Sequence, residues 1–175
     1  MNIRLRRVRE SDRPHFKRWL AIRHLAESMW LLRSPDDSLP EATDELAGNI
    51  TKRFMEESVT SIIVEAESNR QLGYVGFKTQ EKPGVREIFF AVGEEDRLGK
   101  GIGKKAVQLA IEELLTMEKV KTITAEAFEF SEASIRTLEK CGFEPTGVSP
   151  VRTWKNGRQF EIRTFALEVE DQEEN

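Results

Sequence analysis

The stretch REIFFAVGEEDRLGKGIGKKAVQLAIEELL, residues 86–115, joins three local patterns without a break. Val85 to Val92 is dense in aromatic and β-branched residues and reads as a strand. Gly99, Gly101 and Gly103 punctuate the loop that follows. From about Gly101 to Met117, Ala106, Val107, Ala110, Ile111, Leu114 and Leu115 recur at helical spacing as one apolar stripe, with Lys104, Lys105, Gln108, Glu112 and Thr116 facing away. A strand that turns through glycines directly into a helix presents backbone N–H groups at the helix N-terminus, where the dipole favours an anion.

Upstream of this unit, Ile3 to Val8 reads as a strand with Ile3 and Leu5 on one face and Arg4 and Arg6 on the solvated other. Ser11, Asp12 and Pro14 signal a helix start, and the spacing predicts a helix from about Pro14 to Ala26 with Phe16, Trp19, Leu20 and His24 on its inner side. Ser34 to Pro40 is loop by composition, and Leu46, Ile50 and Phe54 mark a second helix over residues 41–57. Val59 to Ala66 and Leu72 to Thr79 form a predicted hairpin around Ser68-Asn69-Arg70, and Lys82-Pro83-Gly84 turns the chain into the strand at Val85. Downstream come a strand from Thr122 to Ala127 and a helix started by Ser131 or Ser134 with Ile135 and Leu138 inward. Gly142 and Phe143 supply its stop and the hydrophobic contact beyond it. Val151 to Lys155 and Arg158 to Leu167 close the chain as a hairpin around Asn156-Gly157. The order β-α-α-β-β-β-α-β-α-β-β, without repeat or linker, predicts one α/β domain over residues 1–167, followed by an acidic tail, 168–175, expected to be disordered.

With 175 residues, the chain buries a sizeable core without crosslinks, and its one cysteine, Cys141, excludes a disulfide framework and a Cys-rich zinc site. That cysteine usage and the absence of any apolar run of signal-peptide or membrane-spanning length point to a soluble protein of the cytoplasm. The formal charge of -4 comes from the tail: Glu168, Glu170, Asp171, Glu173 and Glu174 are five of the 31 acidic residues, and without them the 27 basic residues are almost balanced. A near-neutral body calls for neither nucleic acid nor membrane as partner. His15 and His24 share the first helix with no second cluster of metal ligands, so no metal is expected.

Two common phosphate loops fail on the residues around Gly101. A P-loop requires G-x-x-x-x-G-K-[ST], whereas Lys100 is followed by Gly101, and Gly93 and Gly99 stand one residue too far apart. A dinucleotide fingerprint requires a third glycine where Lys104 stands. What remains is a glycine loop that lets backbone approach an anion, with Lys100, Lys104 and Lys105 adding charge, or a glycine turn that only permits a tight strand-to-helix connection.

This loop, with the later segment SEASIRTLEKCGFEPTG, resembles the Gcn5-related N-acetyltransferase (GNAT) superfamily. Leu98-Gly99-Lys100-Gly101-Ile102-Gly103 is similar to that family's Q/R-x-x-G-x-G/A loop at Gly101 and Gly103; Leu98 departs from the Gln or Arg, and Arg97 is adjacent. The later segment resembles the N-x-x-S-x-x-x-L-E-K-x-G-F pattern of the branch that acetylates ribosomal-protein N-termini, with Ser131 in place of Asn, and WKNGRQFEIRTFALE resembles that branch's terminal hairpin. The resemblance implies a single-domain GNAT fold, a mixed and mostly antiparallel sheet flanked by helices, with acetyl-CoA as cosubstrate and no metal. Its pyrophosphate would lie on Arg97, Leu98, Gly99, Lys100, Gly101, Ile102, Gly103 and Lys104, with Ser131 nearby.

The resemblance further implies direct transfer of an acetyl group to a primary amine, on a protein N-terminus or a small amine-bearing molecule, by a monomer or homodimer. The attacking amine must lose a proton, and Glu87 is the candidate base, with a solvent-facing strand carboxylate as its plainer reading. A backbone N–H at Ala91 or Val92 is expected to meet the thioester oxygen. The family's Tyr proton donor falls at Leu138, so the general acid stays open between water and Ser134, which equally suits a helix start. The missing Tyr also leaves a non-catalytic acetyl-CoA-sensing module as the alternative.

Overall fold

The computed structural model describes residues 1–32, 36–79, 81–153 and 159–170. Strand β1 (Ile3–Arg7) passes through a 3₁₀ turn (Glu10–Asp12) to helices α1 (Arg13–Leu20), α2 (Arg23–Ser28) and α3 (Asp44–Glu56). Strands β2 (Ser58–Glu65), β3 (Gln71–Lys78) and β4 (Val85–Val92) follow, then α4 (Ile102–Met117), β5 (Thr122–Phe128), α5 (Glu132–Lys140), β6 (Glu144–Thr153) and β7 (Gln159–Glu168). The seven strands form one sheet in the order β1-β2-β3-β4-β5-β7-β6. Every neighbouring pair is antiparallel except β4–β5, which is parallel.

Strand alternation explains the layers. Ile63, Val75, Phe77 and Ile88 point to one face and meet Ile102, Ala106, Val107, Ala110 and Leu114 of α4 and Ile135 and Leu138 of α5. Ile62, Val64, Tyr74 and Ala91 point to the other and meet Phe16, Trp19, Leu20, Leu25, Ile50 and Phe54 of α1, α2 and α3. Full burial of an aliphatic side chain such as Val107 or Leu114 stabilises by roughly 1.5–3 kcal/mol, so α4 is fixed to the sheet by its stripe.

Three departures from the sequence reading have physical causes. The first helix is two: Ile22 adopts an extended backbone (φ −106, ψ 119), and α2 swings onto the end of β4, where Leu25 lies against Gly93. No Gly or Pro marks that break. Strand β6 starts at Glu144 rather than Val151, because the chain pairs with β7 as soon as it leaves α5. The tail begins later than expected: Glu168 closes β7, Thr122 donates to its Oε2 at 3.0 Å, and Val169 N–H bonds Lys121 O at 2.8 Å. The Asn156-Gly157 turn and residues 171–175 lie outside the described residues. Among the described residues no helix is long and apolar enough to cross a membrane.

Candidate active site

The parallel pair parts before it ends. Pairing runs from Val85 opposite Thr122 to Ile88 opposite Ala125 and stops there, although β4 continues to Val92 and β5 to Phe128. The opening lies at the carboxyl ends of parallel strands, beside a reversal of strand sense, where α/β sheets take ligands. The free edge of β4 can be assigned. Gly93 N–H bonds Leu72 O on β3 at 2.6 Å, and the Ala91 carbonyl lies so close to Gly73 that a Cβ there would sit 2.0 Å from it. Ala91 therefore turns its backbone to β3, and alternation turns that of Val92 towards the opening. From that edge His24 Nε2 donates to the Val92 carbonyl at 2.7 Å, and since a carbonyl only accepts, this bond fixes the ring tautomer. The sequence pointed to no such role for His24, because its partner is distant in the chain.

At the same end of the sheet stands the glycine loop. Gly99 and Gly101 adopt left-handed backbones (φ +73 and +75), and no atom lies within 4 Å of a Cβ built on either, so the loop needs glycine for its path and is open outward. Gly101 is the N-cap of α4, and the first i→i−4 bond is Lys105 N–H to Gly101 O. The N–H groups of Ile102, Gly103 and Lys104 thus have no acceptor within the helix. Ile102, 2% exposed, anchors this turn in the core, while Leu98 is exposed at 46%. Lys100 and Lys104 are exposed, and Lys105 Nζ donates to Met1 O at 2.6 Å. An anion at the helix start has backbone donors, open space and cationic side chains, so the residues present fit a pyrophosphate.

Helix α5 closes the far side. A Cβ at Gly103 would meet Thr137 Cγ2 at 3.4 Å and a Val92 methyl at 3.9 Å, so β4, α4 and α5 converge there. Ser134 lies one turn before Thr137 on the same face of α5 and is half-buried. It is the third residue of α5, within the first turn of the helix. Ser131 holds the N-cap position without a side-chain cap bond. Leu138 is fully buried in the core, and Tyr74, fully buried on β3, hydrogen-bonds Ser28 Oγ, so neither faces the opening. Burial pushes the Tyr74 hydroxyl pKa up, with the Ser28 bond opposing. Burial likewise raises the Cys141 thiol above its ordinary value, which makes it a poor nucleophile.

Glu87 lies in the paired part of β4, opposite Thr124, and its carboxylate forms an ion pair with Lys78. Five residues of strand separate it from Val92, about 16 Å. Arg97 is committed elsewhere: its guanidinium pairs with Glu65 at 3.1 Å and with Asp96 at 3.7 Å. It belongs to a network around Glu94, which sequence reading did not pick out. Glu94 accepts from Arg18 Nη2 at 2.6 Å, from Arg70 Nη2 at 2.6 Å and from Trp19 Nε1 at 3.3 Å, and Arg70 also binds Asp96 at 2.9 Å. Burial alone would raise the Glu94 carboxyl pKa, but the bonds from Arg70, Arg18 and Trp19 outweigh it and hold it below the usual range. Among the described residues no His, Cys, Asp and Glu side chains group as a metal-binding set. Two open hollows of about 520 and 550 Å³ lie away from the opening, against α1 and α3.

The parted parallel pair and the glycine-started helix form one anion-ready crevice, and the acetyltransferase (GNAT) domain model matches residues 2–144. The chain belongs to that family and is an acetyl-CoA-dependent N-acetyltransferase. It is 27% identical over 157 residues to an aminoglycoside N(6')-acetyltransferase type 1 of Klebsiella pneumoniae, covering 83% of this chain and 76% of the relative. Two solved structures share the fold: spermidine N-acetyltransferase from Vibrio cholerae in complex with CoA and spermine (TM-score 0.74, 18% identity, 95% of each chain), and ribosomal-protein-S5-alanine acetyltransferase from Vibrio fischeri (TM-score 0.76, 18% identity, 99% of this chain and 97% of that one). These similarities do not single out the ribosomal-protein branch.

Proposed function

We propose that the chain transfers the acetyl group of acetyl-CoA to a primary amine of a small polycationic molecule, by direct attack in a ternary complex. The observation that carries this reading is the opening between β4 and β5 with the α4 N-terminus at its mouth. Its acceptor side is supported by carboxylates. Glu87 pairs across from Thr124, so Glu126, two residues on, shares its sheet face and is the first β5 residue beyond the last paired one. Both lie on the face opposite α4, Glu87 already paired with Lys78, in a setting that suits a small cationic amine. The aminoglycoside-acetylating relative is named for a substrate of that kind.

In this reading Lys100, Lys104 and the N–H groups of Ile102, Gly103 and Lys104 hold the pyrophosphate, on a loop shaped by Leu98, Gly99 and Gly101, with Ser131 at the start of the facing helix. The Val92 N–H stabilises the oxyanion as the amine nitrogen attacks the thioester carbon. Glu87, about 16 Å of strand from Val92, takes the amine proton only at the end of a relay of several waters. When the C–S bond breaks, the thiolate takes a proton from water through the Ser134 hydroxyl, which passes one proton on as it receives another and shares the face of α5 turned towards Val92 and Gly103.

A panel of aminoglycosides, polyamines and peptides with free N-termini, followed by release of CoA thiol, tests the acceptor class. Polycations should be the fastest substrates; turnover of peptide N-termini alone would overturn the polycation reading. Glu87→Gln is expected to lower kcat by about 10²-fold with acetyl-CoA affinity kept, as removal of a general base requires. Equal turnover of that variant and the parent across the pH profile would remove Glu87 from the role.

A further inference from the structure

Three consecutive acidic residues, Glu94, Glu95 and Asp96, lead into a loop that is to hold a dianionic pyrophosphate. Asp96 is three residues from Gly99, so their Cα atoms lie within about 11 Å of each other whatever the path. That separation is comparable to the Debye length of about 10 Å at 0.1 M salt and well inside it at lower ionic strength. Uncompensated, the acids would oppose the ligand that the helix start and Lys100 attract. Glu94 and Asp96 are compensated: Arg70, at the start of β3, bridges Glu94 at 2.6 Å and Asp96 at 2.9 Å, and Arg18 on α1 takes the second bond to Glu94 at 2.6 Å.

The geometry of the segment is fixed by the same contacts. A Cβ at Gly93 would meet Trp19 Nε1 at 2.6 Å and a Leu25 methyl at 2.9 Å, so the chain leaves β4 flat against α1 and α2. Trp19 Nε1 then reaches Glu94 at 3.3 Å. The loop's entry is thereby tied to the first helix and to the β2–β3 turn.

We infer that Arg70 is a positioning residue for acetyl-CoA: without touching the cofactor, it neutralises Glu94 and Asp96 and so allows the adjoining glycine loop to accept a pyrophosphate. This rests on the reading of that loop as the pyrophosphate cradle. Glu94 and Asp96 in turn hold the loop entry in place through Trp19, Arg18 and Arg70.

The test is calorimetric titration of CoA into the parent and three variants at low ionic strength, with melting temperatures measured in parallel. CoA binding to the parent checks the cradle itself; no binding there would defeat that reading before Arg70 is at issue. In Arg70→Gln, CoA affinity should fall by about three- to tenfold, since Glu94 and Asp96 lose the cation they share and keep only Arg18 and, at 3.7 Å, Arg97, while kcat at saturating acetyl-CoA stays near the parent's. Adding Asp96→Asn to Arg70→Gln should restore much of the affinity. Arg70→Lys, which keeps the charge but not the two-armed bridge, should bind close to the parent and serves if Arg70→Gln folds poorly. Unaltered affinity in Arg70→Gln would overturn the inference. So would a loss that Asp96→Asn fails to restore, or a loss in Arg70→Lys as deep as in Arg70→Gln, because each assigns Arg70 a direct or purely architectural part.

Discussion

Gly101 and Gly103 stand two residues apart on either side of the start of α4, and only the first is required by the backbone. Gly101 has φ +75 with open space around a built Cβ, so its demand is conformational. Gly103 lies on the helix, and a Cβ there would meet Thr137 at an ordinary contact distance of 3.4 Å, so neither backbone nor packing demands glycine at that position. A non-glycine residue in the left-handed region costs about 1–2 kcal/mol. Gly101→Ala is therefore expected to relax the loop locally, lowering acetyl-CoA affinity by about tenfold, with the melting temperature little changed because no core atom moves. Titration calorimetry and a thermal melt on one preparation check this; an equal loss of fold would show the strain to be spread into α4. Glycines of this sort are visible in sequence, since their requirement is local. Glu94 was not, because Arg70 and Arg18 reach it across 24 and 76 residues, and nothing near Glu94 in the chain announces either partner. Similarly, His24 gains its place from Val92, 68 residues away.

The junction of β1 and α1 shows what a short element does when its cap is also an ion pair. Asp12, 1% exposed, accepts from Arg6 Nη1 at 2.8 Å and Nη2 at 2.7 Å and from Arg9 N–H at 2.9 Å. Burial pushes its carboxyl pKa up, but these bonds and the Arg6 charge prevail and set it below the usual value. A folded pKa below the unfolded one, about 3.9, means a contribution complete above that pH and lost as pH falls through the folded value. Asp12→Asn leaves the half-buried Arg6 without its counter-charge and weakens the buried bonds to Asp12, and is expected to cost about 1–3 kcal/mol. Its stability should also change less between neutral pH and the acid range than the parent's, which chemical denaturation at several pH values would reveal. A parallel acid limb in the variant would assign the acid sensitivity to other carboxylates. Pro14 marked this helix start in the sequence by local chemistry, while the capping oxygen expected of Asp12 serves Arg9 N–H at the preceding 3₁₀ turn instead of α1; the break at Ile22 has no local signal and is set by the packing of α2 against Gly93.

Across the whole molecule, the single parallel strand pair organises both the fold and the chemistry. Element order and the two flanking helical layers were legible in the apolar periodicities, but the register that ends at Ile88 and Ala125 was not, because it is settled by β5 pairing with β7 and by α2 seated on the end of β4. Since the parted strands are already framed by α4, α5 and α2, a ligand needs little rearrangement there, and its binding energy should appear largely as native-state stability. At a hundredfold excess over Kd that amounts to about 2.7 kcal/mol, or a rise in Tm of roughly 5–11 °C for a chain of this length. Acetyl-CoA and CoA should both produce it, because the helix start and the glycine loop meet the pyrophosphate that the two ligands share. Pantetheine, which carries the thiol arm without the pyrophosphate, should shift Tm far less at the same concentration. Equal shifts from pantetheine and CoA would move the affinity from the α4 N-terminus to the edge of β4, and the glycine loop would then be a strand-to-helix connection rather than the cradle.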